Sequence, residues 1–560
     1  MVVGKLRQAL YRRFLLRGRF ARARSTAAGA RWRSDRSLLA VAHAYEAQGD
    51  RLAQPSESLD RGVFVSNGVQ HDFGSIEAMR WGVVTRGAPD RSRWEHDFAF
   101  FAYSLPVVRS EGWRGARTIA RMLQVLENCA TQDQSELRMF HWSPIALSSR
   151  ILNLATSLAI ASEVDGDQDD EAAAVISRHI WLCDQILQRT VERYLGYNHA
   201  AFGEVALFVA ALLFSDQSRA KRQLSRALHV LDAGTLADGM WSERSTTYHV
   251  HMLLLCRALR ASGVAEGSHA AVLDDLSARM EEALLCIVHP DGEIATFNDA
   301  AIDDAVKPSA VGWTPVDGEQ TRLLAEAGYA RLAGGNWSVL MDAGPMGPNA
   351  VIGHGHADFL SVEVCLSGRR LVVDPGVASI SAGPARAWTR SAGSHNGPTF
   401  VGLEPAEFFG TWRVGRRGRA TFSDFLNGGG AKVLASGDCD GYEPWNATVK
   451  RTVSIEGGHM AIEDCWEGGV ALEPRSSFII AAEWEVEILD SGLLRLTCSD
   501  ELEALVELEH GRIVSVNPGQ YFPSGPMSPK MGTICSIEPD GDGVARTRWT
   551  WSPSDLVSLS

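Results

Sequence analysis

The chain has 560 residues, of which 45% are hydrophobic and 22% charged, and a formal net charge of −14. That length exceeds one ordinary domain and is enough for two or three cores, while the apolar share is that of a folded globular protein and excludes disorder as the default. The acidic surplus argues against a nucleic-acid binder, which needs a basic face.

The chain opens with a basic stretch, Lys5 through Arg33. Arg12-Arg13 followed by Phe14-Leu15 has the outline of a twin-arginine signal, but Arg17, Arg19, Arg22 and Arg24 fall where an apolar segment should follow. We read no cleavable signal here. Leu10, Phe14, Leu15 and Phe20 would let the segment lie on a membrane surface. A solvated arm over 1–45 is the simpler reading. The longest apolar run, Ala200–Phe214, is too short to span a bilayer and contains Glu204, so no integral membrane segment is expected.

From there to about residue 322 the apolar residues recur at helical spacing. Gly115–Asn128 places Ile119, Met122, Leu123 and Leu126 on one stripe. Ile145–Ala161, His179–Tyr194, Ala201–Phe214, Lys221–Leu231, Thr247–Ala261 and Ala271–Val288 follow the same rule. Loops such as Asp165–Asp170 and Ala233–Gly239 separate them. The spacing predicts a helical domain over 46–322, packed as a bundle, solenoid or toroid. Near residue 325 the period switches to two. Trp337–Asp342, Leu360–Leu366, Leu371–Asp374, Ala420–Phe422, Thr448–Ile455, Met460–Asp464, Ser476–Ala481, Glu483–Leu489 and Leu493–Leu496 read as short strands with Gly, Asn and Asp at the turns. Helices followed by strands mean separate layers rather than βαβ units, here an antiparallel β-sandwich over 323–560.

Three clusters carry chemistry-bearing side chains. Tyr197-Asn198-His199 precedes the apolar Ala200–Phe214 segment, where Asn is a natural helix cap. Asp238–Glu243 leads into Tyr248, His249 and His251. The Asp-Gly reads as a turn, and the two histidines read as a partly exposed helix face. Gly353-His354-Gly355-His356-Ala357-Asp358 is denser: two histidines and an aspartate in a loop entering a strand are ordinary zinc ligands. Asp374 and His395 follow. A hairpin at Ser367-Gly368 would set Asp374 opposite a residue near Ser361. His356 would then lie roughly 17 Å further along the strand, unless the loop folds back.

The string His354–Asp358, the strand Leu360–Leu366, Gly368 and Val372–Gly376 resemble the signature of the heparinase II/III family. Arg390–Asn396 is similar to a second family segment. Asn198-His199 and Asp238–Tyr248 resemble the two active-site stretches of its helical domain, and Trp94-Glu95 and His141-Trp142 resemble its early helices. The resemblance covers roughly residues 65–480. It departs at Tyr197, where many members carry a second Asn. It implies an incomplete α/α toroid followed by an antiparallel β-sandwich, and a polysaccharide lyase cleaving a uronate-containing acidic glycan by β-elimination. It further implies that Asn198, His199, Tyr248 and His354 are catalytic, and that His356, Asp374 and His395 hold one structural zinc.

An acidic polysaccharide or oligosaccharide is thus the expected partner, and it requires a locally positive cleft inside an acidic protein. Two other readings compete. A glycoside hydrolase would need two carboxylates flanking the bond, with Asp238 and Glu243 as candidates. A non-catalytic glycan-binding protein of exopolysaccharide production would need none. Nine cysteines without CxxC pairs read as buried thiols in a reducing compartment, which together with the absent signal leans towards a cytoplasmic location. A homo-oligomer stays open.

Overall fold

The computed structural model describes residues 32–66, 68–81, 92–133, 135, 140–164, 169–315, 320–429, 432–468, 472–498, 502–526 and 528–553. The arm expected over 1–45 lies outside them up to residue 31. Its last ten residues form the helix Arg36–Tyr45, with Leu38, Val41, Ala42 and Tyr45 buried, so this part is packed rather than solvated.

The chain forms two compact units, 1–235 with 251–278, and 236–250 with 279–560. The first is helical. Its principal helices are Ser104–Gln132, Pro144–Val164, Asp170–Thr190, Tyr197–Leu213 and Gln217–Gly234. Aspartate caps fix several starts: Asp35 accepts from the Leu38 amide, Asp169 from Ala172 and Asp216 from Arg219. Successive helices pack on one another, Ser104–Gln132 on Pro144–Val164, and Tyr197–Leu213 on both Pro144–Val164 and Gln217–Gly234. Nearly every side chain of Pro144–Val164 and Tyr197–Leu213 is buried, as expected of inner helices. Pro144–Val164 is the one described helix long and apolar enough to cross a membrane by length and composition, which the longest-run criterion passed over, yet it is a buried core element carrying Arg150. Arg150 donates to the Ala146 and His141 carbonyls and contacts His179, whose other ring nitrogen meets Glu127 at 2.9 Å.

The second unit is built on two antiparallel sheets. One has the order β11 (Ala420–Asn427), β12 (Lys432–Cys439), β13 (Ala447–Glu456), β14 (His459–Gly468), β21 (Val544–Pro553), β18 (Leu502–His510), β17 (Leu493–Cys498), β16 (Trp484–Asp490). The other runs β19 (Arg512–Tyr521), β20 (Lys530–Glu538), β15 (Pro474–Ile480), β7 (Arg369–Val372), β6 (Val362–Leu366), β5 (Trp337–Asp342), β4 (Tyr329–Gly334), β3 (Arg322–Leu324), with β8 (Pro398–Phe400) beside β15. Small hairpins β1 (Val63–Ser66) with β2 (Val69–Asp72) in the first unit, and β9 (Phe408–Phe409) with β10 (Arg413–Val414) in the second, complete the strands. In β13 and β14 buried and exposed residues alternate, so one face is core. β4, β5 and β6 are buried on both faces. Part of their cover is the end of the helix Ser268–Ile287: Arg331 of β4 donates to the Leu285 and Val288 carbonyls.

Two polar staples fix the sandwich. Arg451 makes a paired contact to both Asp464 oxygens, each 2.7 Å, and donates to the Leu360 carbonyl. Asn396 donates to the Val362 and Val373 carbonyls and accepts from the Ile479 amide, tying β6 and β15 to the chain after β7. The expected hairpin is present: β6 and β7 pair Leu366 with Arg369 around Ser367-Gly368, both with positive φ.

Candidate functional site

The 343–361 segment leaves β5 and returns into β6, carrying His354 and His356. Its fold depends on close backbone approach. A Cβ at Gly355 would stand 2.2 Å from the Met346 carbonyl oxygen, and one at Gly353 would stand 3.2 Å from the Trp412 ring. Asn298 fixes the loop from below. Its side-chain oxygen accepts from the His356 amide at 2.9 Å, its amide nitrogen donates to Tyr329 at 3.0 Å, and its own backbone N–H donates to Asp358 at 2.8 Å. Asn298 adopts φ +59°, a conformation asparagine tolerates better than most residues.

Asp299 is the electrostatic hub. His354 Nδ1 meets one of its oxygens at 2.9 Å, His356 Nε2 meets the other at 2.9 Å, and the buried Arg386 guanidinium engages both. Burial alone would raise this carboxyl. The Arg386 charge and the two imidazole hydrogen bonds outweigh burial and hold it well below the usual range. A carboxylate on Nδ1 leaves His354 Nε2 facing the other way, 3.7 Å from Glu243.

Tyr248 lies beside this imidazole. The two rings are 4.6 Å apart between centroids and tilted by 54°. Tyr248 is in the first turn of the helix Thr246–Ala261, half-buried, and its amide donates to Ser245 Oγ. Trp412 closes another side of His354, centroid distance 5.5 Å, with Arg386 against its ring.

Glu243 and Asp238, the candidate hydrolase pair, each accept from protein donors, Glu243 through the oxygen that does not face His354. Glu243 is buried and accepts from the Trp241 indole at 2.7 Å. Asp238 accepts from the Glu326 and Ala327 amides at 2.8 Å each. The histidines next to Tyr248 differ from the expected partly exposed face. His249 is fully buried, accepting from the Trp241 amide and donating to the Met280 carbonyl, and burial pushes it down to about 4. His251, in the first unit, is also buried, with its ring edge-on to Phe202.

In the first unit, Tyr197–Leu213 begins two residues earlier than a cap at Asn198 requires. The cap is Gly196 at φ +67°, so Asn198 sits inside the first turn and is buried. His199 is one-third exposed, and its Nδ1 meets Glu192 at 2.6 Å.

His356 is linked to Asp374 through His395. His395 Nδ1 meets Asp374 at 2.9 Å, and the His395 and His356 rings are 5.5 Å apart between centroids. His356 Nδ1 and His395 Nε2 are both buried with no hydrogen-bond partner. Burial pushes His356 down to about 3, so this ring is neutral. Asp374 spends one oxygen on His395 and the other on the Gly376 amide. Burial pushes Asp374 up to about 6 and raises Asp358 and Asp342, while His395 beside Asp374 and Asp358 pulls the other way. Two bare imidazole nitrogens beside buried carboxyls suit a zinc ion in chemistry. Among the described residues, however, no three such side chains converge as a complete ligand set. The orphaned nitrogens carry more weight, because a set that relaxes without the ion keeps its unpaired atoms.

Asp299, Arg386 and Trp412 escaped the sequence reading. Asn-Asp at 298–299 looks like an ordinary turn, and nothing local distinguishes Arg386 from other arginines.

The chain thus has a helical unit and a unit of two antiparallel sheets, the latter carrying the histidine–tyrosine pair. Residues 317–550 match the family described as heparinase II/III-like, C-terminal. No curated protein sequence matches the chain. Among solved structures it resembles heparinase III, at 15% identity over 91% of this chain and 85% of that one, TM-score 0.67. It also resembles the heparan sulfate lyase HepC from Pedobacter heparinus, at 16% identity over 95% and 88%, TM-score 0.56. A further heparinase III gene product aligns at 16% over 91% and 84%, TM-score 0.59. These likenesses establish the fold, an α/α-toroid type helical region followed by antiparallel sheets.

Proposed function

We propose that the chain is a polysaccharide lyase, a carbon–oxygen lyase that cleaves a uronate-containing acidic glycan by β-elimination. The observation that carries this reading is the Tyr248–His354 ring pair, with His354 anchored on the ionised Asp299. The names of the solved structures, heparinase III and a heparan sulfate lyase, support the same class.

Elimination removes the proton from uronate C5 and expels the oxygen at C4. The C5–H electrons become the C4–C5 double bond, and the C4–O bond breaks with its pair on oxygen. A base takes the C5 proton and an acid returns one to the leaving oxygen. His354, with Nδ1 held by the Asp299 carboxylate, presents Nε2 as the base. The Tyr248 hydroxyl supplies the proton to the departing oxygen. A tyrosine titrates near 10 in water and so keeps its proton until the transition state demands it. The uronate carboxylate must be neutralised as charge builds on the enolate-like transition state. Asn198 and His199, in the first unit, enter the proposal for this role by residue chemistry alone.

The zinc reading is part of the proposal. His356 and His395 would hold the ion with Asp374 behind His395, and the ion would stiffen the loop bearing His354, taking no part in the elimination. The hydrolase alternative loses support because Asp238 and Glu243 are bound to protein groups.

The test is ultraviolet absorbance from the C4–C5 double bond conjugated to the carboxylate. It should grow on at least one of heparan sulfate, chondroitin sulfate, hyaluronan, alginate or bacterial exopolysaccharide. New reducing ends without that absorbance would mean hydrolysis. Binding with neither would mean a non-catalytic protein.

A further inference from the structure

We infer that the hairpin β9–β10 and the chain after it form a glycan subsite: Trp412 as a stacking platform, and Arg413, Arg417 and Arg419 as a reader of anionic substituents on the sugar next to the one that reacts. The inference rests on the lyase reading for its occupant, but on separate residues for its evidence.

Trp412 is 47% exposed, although the protein buries most of its large aromatic side chains. It is also held with unusual care. Buried Arg390 donates to the Thr411 carbonyl at 3.0 Å, and buried Arg386 lies against the ring, 5.0 Å from its centroid. Gly353 gives the ring room to approach the His354 loop. An exposed indole fixed by two buried cations carries burial costs that a merely structural role would not need. Its ring lies 5.5 Å from His354 between centroids and nearly perpendicular to it, so a sugar stacked on it lies next to the Tyr248–His354 pair. Pyranose C–H faces are what an exposed indole face best recognises, the polar hydroxyls staying in water.

The charge pattern supplies the second half. Arg413, Arg417 and Arg419 are exposed, and none forms an ion pair among the described residues. Elsewhere on this acidic chain exposed arginines such as Arg109, Arg121 and Arg260 do find carboxylates. Arg417 reaches only neutral oxygen, the Asn349 side chain at 3.0 Å, on the same segment that carries His354. Glu407, the nearest acid of the hairpin, is turned to the Arg416 amide. Three exposed guanidiniums without an ion-pair partner, on the chain next to an exposed indole, supply the local positive charge that an acidic glycan requires, although the Asp440 carboxylate accepts from the Arg419 backbone amide. Their forked donors fit sulfate or carboxylate groups.

The experiment uses the full chain carrying Tyr248→Phe, so that binding is read without turnover. Calorimetry with heparan sulfate and hyaluronan oligosaccharides of equal length separates sulfated from unsulfated occupants. Trp412→Ala should weaken both by about tenfold, and Trp412→Phe should recover part of the loss. Arg413→Gln with Arg417→Gln should weaken heparan sulfate more than hyaluronan and flatten the salt dependence. Unchanged affinity for both probes in Trp412→Ala, in a protein with unaltered melting, overturns the platform, as does the absence of any binding to either probe. If the wild type binds but produces no ultraviolet product on any polymer, the lyase reading falls and the subsite stands on its affinity losses. If product forms while the variants bind normally, the subsite falls alone.

Discussion

Asp299 and His354 meet at 2.9 Å, and the same carboxylate also receives His356 and Arg386. One acid therefore orients the proposed base, holds the neighbouring histidine and neutralises a buried guanidinium. Asp299→Asn keeps the volume but loses the charge. Activity should drop roughly 10–100-fold through misoriented His354. Stability should fall by about 3–5 kcal/mol, because Arg386 is left buried and unpaired. Denaturant titration and the absorbance assay, run on the same preparation, check both. Native-like stability in Asp299→Asn would show that Arg386 finds another partner.

Tyr248→Phe removes one hydroxyl from a half-buried ring and leaves the packing on His354 intact. The ultraviolet signal should vanish, while melting shifts by no more than a surface-like ~0.5 kcal/mol. Full turnover in this variant would remove Tyr248 from the proton transfer.

Elemental analysis should find about one zinc per chain. Chelation should lower the melting temperature, and His395→Ala should abolish both the zinc and the chelator effect. A metal-free protein of full stability, unresponsive to chelator, would contradict the zinc proposal.

His249 gives a pH dependence whose sign is fixed. Burial lowers its folded pKa to about 4, against about 6.5 when unfolded. The unfolded chain therefore binds the proton first, so this contribution is complete above about pH 6.5 and is lost as pH falls towards 4. Two to three units correspond to roughly 3 kcal/mol for this fully buried group. Urea midpoints measured from pH 7 to 4 should decline, and less steeply in His249→Phe. That variant should also be weaker at pH 7, because the Trp241 amide and Met280 carbonyl lose their partner. Parallel pH profiles would exclude His249 as the source.

The order of helices and strands was legible because period is local. Trp337–Asp342 is read to the residue, and the long helices differ mainly at their ends, where caps such as Gly196 decide. The last four strands, β18 to β21, were missed: β18 and β19 carry only irregular alternation of buried and exposed residues. The site was half legible. His354 and His356 stand out as a dense motif. Asp299 and Arg386 are 87 residues apart and become a pair only when the chain closes. Trp412 looked like any of sixteen tryptophans, and its exposure is a property of the fold.

The two glycines that bracket His354 set a limit on how this region can vary. A methyl at position 355 would meet a carbonyl oxygen of Met346, and one at 353 would press on the Trp412 ring. Neither neighbour is the free end of a flexible side chain. A saturation library across 353–355 should therefore recover glycine at 355 almost without exception and admit only small residues at 353, where a shift of the half-exposed Trp412 ring decides what fits.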